Sequence, residues 1–175
     1  MDQALLKRQL KTDRRVQTEV YTTYYRRVYT SCLRILNDVH EAEDLMQEAF
    51  IHAFKKIDSF RGEANLGTWI CRIAINKCLD HLKKRRVDLK FDEDWERKSN
   101  DSFDPNEDTS FDVERIQTAM NQLPDGCRIV FQLYMFEEMD HESIASKLGI
   151  KEASSRAQYA RAKNKIKELI SEAHV

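Results

Sequence analysis

Apolar residues recur at three- and four-residue spacing along most of this chain, and one long acidic interruption divides the pattern. From Val16 to Leu36, the residues Val20, Tyr24, Val28 and Leu36 lie near one face, while Arg26, Arg27 and Arg34 lie elsewhere. That arrangement predicts an amphipathic helix. Residues before about Val16 are charged and are expected to be frayed or to form a first helical turn. Asn37-Asp38 stops this helix and starts the next, with Asp38 as N-cap and Glu41 three residues on, in the manner of a capping box.

The second helix is predicted to run to about Ile57. Ala42, Leu45, Ala49, Ala53 and Phe54 form its stripe, joined by Met46, Phe50 and Ile57. Glu41, Asp44, Gln47 and Glu48 point away from that stripe. The dipole at a helix N-terminus welcomes negative charge, which accounts for Glu41 and Glu43. It accounts less well for Glu48, nearly three turns in. Phe60 to Asn65 then breaks the period: Gly62 permits positive φ and Asn65 suits the cap of the next helix.

That third helix is predicted from about Leu66 to Arg86, with Leu66, Ile70, Ile73, Ala74, Cys78 and Leu82 on its core face. Arg72, Asn76, Asp80 and Lys83 lie on another face, and the run His81 to Arg86 ends it with cations. Cations there suit the dipole and suit phosphates alike. Trp69, Arg72 and Asn76 on the same helix are of the types that stack on bases or hydrogen-bond to them.

Val87 to about Asp108 shows no sustained period and reads as a loose acidic tether, in which Phe91, Trp95 and Phe103 are unusual for a spacer. The helical period returns at Phe111. Val113, Ile116, Met120 and Leu123 make one stripe; Pro124 suits the opening of the next helix, whose buried face is Cys127, Val130, Phe131 and Tyr134. Two pieces follow, Glu142 to Leu148 and about Glu152 to Ala173, joined by a turn at Gly149. Two helices joined by a few residues including Gly is the helix-turn-helix pattern. On the last helix Ser155, Tyr159, Ala162, Ile166 and Leu169 form the packed side. Arg156, Ala160, Lys163 and Lys167 form an outward row, flanked by Arg161 and Gln158. Small residues beside Arg allow a close approach to a groove, where Arg bonds base edges or phosphates. An ordinary solvated basic face is the bland alternative.

Composition narrows this reading. The chain has 175 residues, 41% of them apolar, which suffices for one ordinary domain or two small ones. Four Gly and two Pro are too few for a turn-rich β fold, so the composition favours helices. Net charge is −1, but its distribution is uneven: Val87 to Asp112 holds ten acidic and three basic residues, Lys151 to Lys167 six basic and one acidic. That asymmetry points to a basic surface for nucleic acid beside an acidic linker. Cys32, Cys71, Cys78 and Cys127 form no CxxC and fall in apolar helical stretches, as buried thiols of a reducing cytoplasm would. Met1 to Lys11 lacks the apolar run of a signal peptide, and no stretch approaches the roughly 20 apolar residues of a spanning helix. A soluble cytoplasmic protein is expected. Phosphate-cradling, dinucleotide, zinc-protease and hydrolase motifs are missing, and none of His40, His52, His81, His141 and His174 belongs to a recognisable triad or metal set. No catalytic residue, no metal and no cofactor is therefore expected.

EDLMQEAFIHAFKKIDSFRGEANLGTWICRIAINKCLD resembles region two of the bacterial extracytoplasmic-function (ECF) group of RNA polymerase sigma factors. LPDGCRIVFQLYMFEEMDHESIASKLGIKEASSRAQYARAKNKI resembles region four. The two stretches come in the group's order, with a linker of fitting length. The resemblance implies an all-α fold of two small helical domains joined by a flexible acidic linker: the region-two bundle at 1–86, the linker at 87–110 and the region-four helix-turn-helix at 111–175.

It also implies roles. Asp44, Gln47 and Glu48 match the helix that docks on the polymerase clamp coiled coil, which accounts for the acids that capping leaves over. Phe60, Arg61, Gly62, Glu63, Ala64 and Asn65 match the loop that captures a flipped base of the promoter minus-ten element. Asn76 matches a residue that contacts the exposed strand, with Trp69, Arg72 and Lys77 beside it. Ser154, Arg156, Ala157, Gln158, Ala160 and Arg161 fall on the helix that reads the minus-thirty-five element. The group's pattern departs at Lys151-Glu152-Ala153-Ser154-Ser155, where Ser155 replaces a usual apolar core residue. Implied partners are core polymerase (clamp coiled coil and flap), promoter DNA and an anti-sigma factor, with membrane contact only through the latter. A free-standing helix-turn-helix regulator and a helical adaptor without a nucleic-acid role are the competing readings.

Overall fold

In the computed structural model of the chain, residues 3–84 and 113–172 are described. They are helical, with no strand among them, and fall into two compact units within Met1–Arg86 and Val87–Val175. The acidic stretch predicted as a tether, with Phe91, Trp95 and Phe103, lies outside the described residues.

The first unit holds α1 (Gln3–Thr12), α2 (Arg14–Leu36), α3 (Val39–Lys55), a 3₁₀ turn at Ile57–Ser59 and α4 (Leu66–Lys84). Three helices, α2, α3 and α4, pack against one another pairwise. Their shared core contains Val28, Cys32, Ile35, Ala42, Met46, Ala49, Phe50, Ala53, Ile70, Cys71, Ala74 and Cys78, all essentially sealed from water. Each large aliphatic side chain buried in this way contributes roughly 1.5–3 kcal/mol of transfer free energy. The small residues on α3 and α4 let the backbones approach closely. Gly67 marks one close approach: a Cβ there would fall 2.5 Å from Cδ1 of the Tyr24 ring.

The α2–α3 junction uses two residues. Asn37 takes the left-handed conformation (φ 53°) and its N–H bonds Leu33 O at 2.8 Å. Asn tolerates that region because its short polar side chain bonds locally. Asp38 then caps α3, its carboxylate accepting from Glu41 N–H at 2.9 Å, as the sequence predicts.

The N-terminal segment departs from expectation. It is neither frayed nor a single turn but a separate helix, α1, broken from α2 at Asp13, whose side chain accepts from Arg15 N–H at 2.8 Å. Leu10 on α1 is fully buried. Lys7 donates to Asp58 O at 3.2 Å, and Lys11 pairs with the Asp58 carboxylate. These contacts tie α1 to the 3₁₀ turn that precedes the Phe60–Asn65 loop.

The second unit holds α5 (Val113–Met120), α6 (Asp125–Met135), α7 (His141–Leu148) and α8 (Glu152–Glu172). Ala119, Met120, Leu123, Cys127, Phe131, Ala162, Ile166 and Ile170 form its core, so α8 packs its apolar stripe on α5 and α6. Pro124 stands one place earlier than expected, as the N-cap of α6, which begins at Asp125. Tyr134, predicted on the buried face of α6, is 36% exposed. It sits at the end of the helix, where its ring stacks on His141 and tilts against Tyr159 rather than entering the core. Asp140 caps α7 by accepting from Ser143 N–H at 2.7 Å, and Gly149 (φ 70°) turns the chain into α8.

Candidate polymerase and promoter interfaces

On α3 the stripe that packs on α2 and α4 fixes which residues face water. Asp44, Gln47 and Glu48 are exposed, on the side opposite Ala42, Met46 and Ala49. Glu41, expected to point outward with them, is half-buried, with its carboxylate 3.5 Å from His81 Nε2 on α4. Glu48 accepts from Lys77 Nζ at 2.9 Å, and that bond, reinforced by the ammonium charge, holds its carboxyl below the usual range. Beside the acidic row runs an open groove between α2 and α3, lined by Tyr21, Phe50, Ile51 and Phe54 together with the polar Arg14, Gln17, Thr18 and Gln47. Ile51 is 54% exposed at its edge.

The loop behind α3 is built from its ends inward. Phe60 is buried against Trp69, ring centroids 5.3 Å apart, and so anchors the loop instead of presenting its face. Asn65 Oδ1 accepts from Thr68 N–H at 2.8 Å, capping α4 with a bond that does not use the amide nitrogen. Between these fixed points Arg61, Gly62 and Glu63 are exposed and Ala64 is half-buried. Gly62 has φ 77°, the left-handed region that lets the chain reverse there. Arg72 and Asn76 are exposed one turn apart on α4, Trp69 is half-buried, and Lys77 is half-buried in its pair with Glu48. A base leaving a duplex costs a few kcal/mol, which edge hydrogen bonds and stacking must offset. A loop with rigid ends, its Asn65 amide, and the exposed Arg72 and Asn76 on the next helix supply groups of that kind.

In the second unit the outward side of α8 carries Arg156, exposed and paired with Glu152 one turn before it. Ser154, Ala157, Ala160 and Arg161 are half-buried. Gln158 does not belong with them. It is 4% exposed and its Oε1 accepts from Cys127 Sγ at 2.7 Å. The Gln158 position lies where α8 meets α6, so the expectation that it flanks the outward row is corrected. Burial pushes the Cys127 thiol up to about 11, which keeps it a protonated donor. Ser155, polar where the sequence pattern has an apolar residue, is fully buried, and its Oγ lies 2.9 Å from His141 Nδ1. His141 carries no sequence signal, because its partner stands on another helix.

All four cysteines are free and buried, and among the described residues no His, Cys, Asp and Glu cluster could hold a metal. None of the described helices is long and apolar enough to cross a membrane.

Known proteins give this geometry its context. The family model for Sigma-70 region 2 matches residues 20–87, and that for Sigma-70, region 4 matches residues 113–166. The chain is 29% identical to the ECF RNA polymerase sigma factor SigW of Bacillus subtilis over 94% of each chain. It is also 29% identical to the RNA polymerase sigma-H factor of Pseudomonas aeruginosa, over 97% of this chain and 93% of the other. Two solved structures share the fold. The sigma factor RpoE in complex with the anti-sigma factor NepR from Bartonella quintana matches 88% of this chain and 96% of its own (TM-score 0.55, 23% identity). CnrH in complex with the cytosolic domain of CnrY matches 98% and 97% (TM-score 0.53, 19% identity). With both sigma regions matched in order and relatives aligned over nearly the whole length, the chain belongs to the ECF group of the sigma-70 RNA polymerase sigma factors.

Proposed function

We propose that residues 1–86 dock on core RNA polymerase and open the minus-ten element, that 111–175 read the minus-thirty-five element, and that 87–110 link the two. The observation that carries this reading is the division of exposed polar groups in the first unit. An acidic row, Asp44, Gln47 and Glu48, lies on α3, and a DNA-compatible set, Arg61 to Asn65 with Arg72 and Asn76, lies on the loop and α4. The acids suit the polymerase clamp coiled coil. The loop and α4 suit an unstacked base and its strand. The factor itself catalyses nothing; it lends core enzyme its promoter address, and it works in the cytoplasm.

Arg156 and Arg161 are the cations proposed to meet the minus-thirty-five groove, with Ser154, Ala157 and Ala160 keeping the helix surface low. Gln158 supports this helix from behind. An anti-sigma factor is the natural antagonist: RpoE was solved bound to the anti-sigma factor NepR, and CnrH bound to the cytosolic domain of CnrY.

The test is charge reversal. Asp44→Lys with Glu48→Lys is expected to weaken core binding by at least about 30-fold, since like charges brought together at an interface cost several kcal/mol. Unchanged binding would sink the docking assignment. A gel shift with and without core enzyme separates this reading from a free-standing regulator, which would bind its duplex tightly alone.

A further inference from the structure

His141 is the first residue of α7, and its side chain meets residues of both α6 and α8. Its ring is 9% exposed. It stacks on Tyr134 of α6 with centroids 4.5 Å apart and planes 18° apart, and meets Tyr159 of α8 edge-on at 5.7 Å. Its Nδ1 lies 2.9 Å from Oγ of Ser155, which is fully buried in the first turn of α8. Arg156, the exposed cation of that turn, is the next residue. A buried hydroxyl without a partner costs free energy, so Ser155 is held where the imidazole can reach it. An apolar residue at Ser155 would pack at many depths; a hydrogen bond of fixed length admits one.

We infer that His141 is a positioning residue for minus-thirty-five recognition, its bond to Ser155 setting the register in which α8 presents Arg156 to the major groove. This rests on the reading that 111–175 contact that element. It makes the imidazole, which touches no DNA, a determinant of how well the element is distinguished.

The arrangement carries a pH signature. The groups around the ring are Asp140 and Glu142 on its own helix, Tyr134 on α6, and Glu152, Arg156 and Tyr159 on α8. Burial and then the Arg156 charge hold the imidazole below its usual range, against the opposing pull of Glu152 and Asp140. A proton on the ring therefore favours the unpacked state. The stabilisation is complete above the unfolded value of about 6.5 and is lost as pH falls from there toward the folded value. Phosphate contacts alone have the opposite trend, because added positive charge strengthens DNA binding. The two origins thus differ in sign.

The experiment uses holoenzyme, reconstituted from core polymerase and the full chain. Promoter fragments with an intact or a scrambled minus-thirty-five element are compared by fluorescence anisotropy, at about pH 8 and about pH 6. The ratio of the two affinities is the readout, so a general loss of core binding cancels, and a thermal melt of each variant checks that the second unit is folded at both pH values. For the unaltered chain the ratio is expected to fall on acidification, by no more than about fourfold, the most that a group with an unfolded value of about 6.5 loses between those two pH values. His141→Asn, whose amide can occupy the Nδ1 position and does not titrate, is expected to keep the ratio at both pH values. His141→Leu is expected to lower it at both. A ratio that holds or rises on acidification, or one that His141→Leu leaves intact, overturns the inference. No element dependence in the unaltered chain would instead overturn the region-four reading beneath it.

Discussion

Lys77 Nζ lies 2.9 Å from Glu48 Oε2, so an ion pair joins the helix of the acidic row to the helix of the Arg72–Asn76 face. The pair is partly solvated, with side chains 28% and 58% exposed. Its worth is therefore modest, about 0.2–1 kcal/mol, and screened by salt. The lowered Glu48 carboxyl fixes the direction with pH: the contribution is present above the unfolded carboxyl value and lost as pH falls through the folded one. A double-mutant cycle of Glu48→Gln and Lys77→Met, by urea unfolding at low and high salt, is expected to show coupling of that size that shrinks with salt. Coupling absent at low salt would mean the two side chains meet without consequence. The same carboxylate is proposed to face the polymerase clamp, so docking and Lys77 compete for it.

Gly67 admits no side chain. A methyl at its Cβ would overlap the Tyr24 ring at 2.5–2.6 Å, deep in the α2–α4 crossing. Gly67→Ala is expected to lower stability by about 1–3 kcal/mol despite the better helix propensity of Ala. Pairing it with Tyr24→Leu should recover part of the loss. Thermal melts of the three variants check this; a Gly67→Ala chain as stable as the parent would show that the ring swings aside freely.

Asn65 has two ends with separable jobs. Its Oδ1 caps α4 through Thr68 N–H, and its amide nitrogen is left for the loop's own work. Asn65→Ala is expected to cost about 1 kcal/mol of stability. Asn65→Asp should preserve the cap and the melting temperature while removing the donor. If run-off transcription falls with Asp as it does with Ala, the amide serves the promoter; full activity with Asp would leave only the cap.

Gln158 answers to Cys127 rather than to DNA. The thiol, raised to about 11 by burial, stays protonated and donates across 2.7 Å to the amide oxygen. Gln158→Ala is expected to destabilise the second unit by about 1–3 kcal/mol, through a cavity and an orphaned donor. Promoter base preference should stay the same in a minus-thirty-five library. Native Cys127 should also resist alkylation near pH 8, and rapid labelling there would contradict its burial. Because the folded thiol value is raised, this contribution holds below the unfolded value of about 8.5 and fades as pH climbs toward 11.

What could be read from the sequence was local. Asp38, Asn65, Gly62 and Gly149 act on backbone within a few residues of themselves, and each does what its chemistry suggests. The exposed row Asp44, Gln47 and Glu48 followed from helical period alone. Partners distant in the chain were out of reach. Leu10 gives little reason for a helix until Asp58, some fifty residues on, is brought beside Lys7 and Lys11. Gln158 looks like a polar surface residue until Cys127 faces it from 31 positions away, and Ser155 looks like a flaw in the packed stripe until His141 meets it. Phe60 sits in a loop by sequence and in the core by packing, because Trp69 covers it.

Gly149 differs in kind from Gly67. Nothing lies within 4 Å of the place a Cβ would occupy, yet its φ is 70°. Bulk is thus irrelevant at this hinge, and handedness alone is selected. Among natural relatives and laboratory variants, the replacements that survive here should be ranked by their ease in mirror-image backbone, with asparagine ahead of alanine and β-branched residues last.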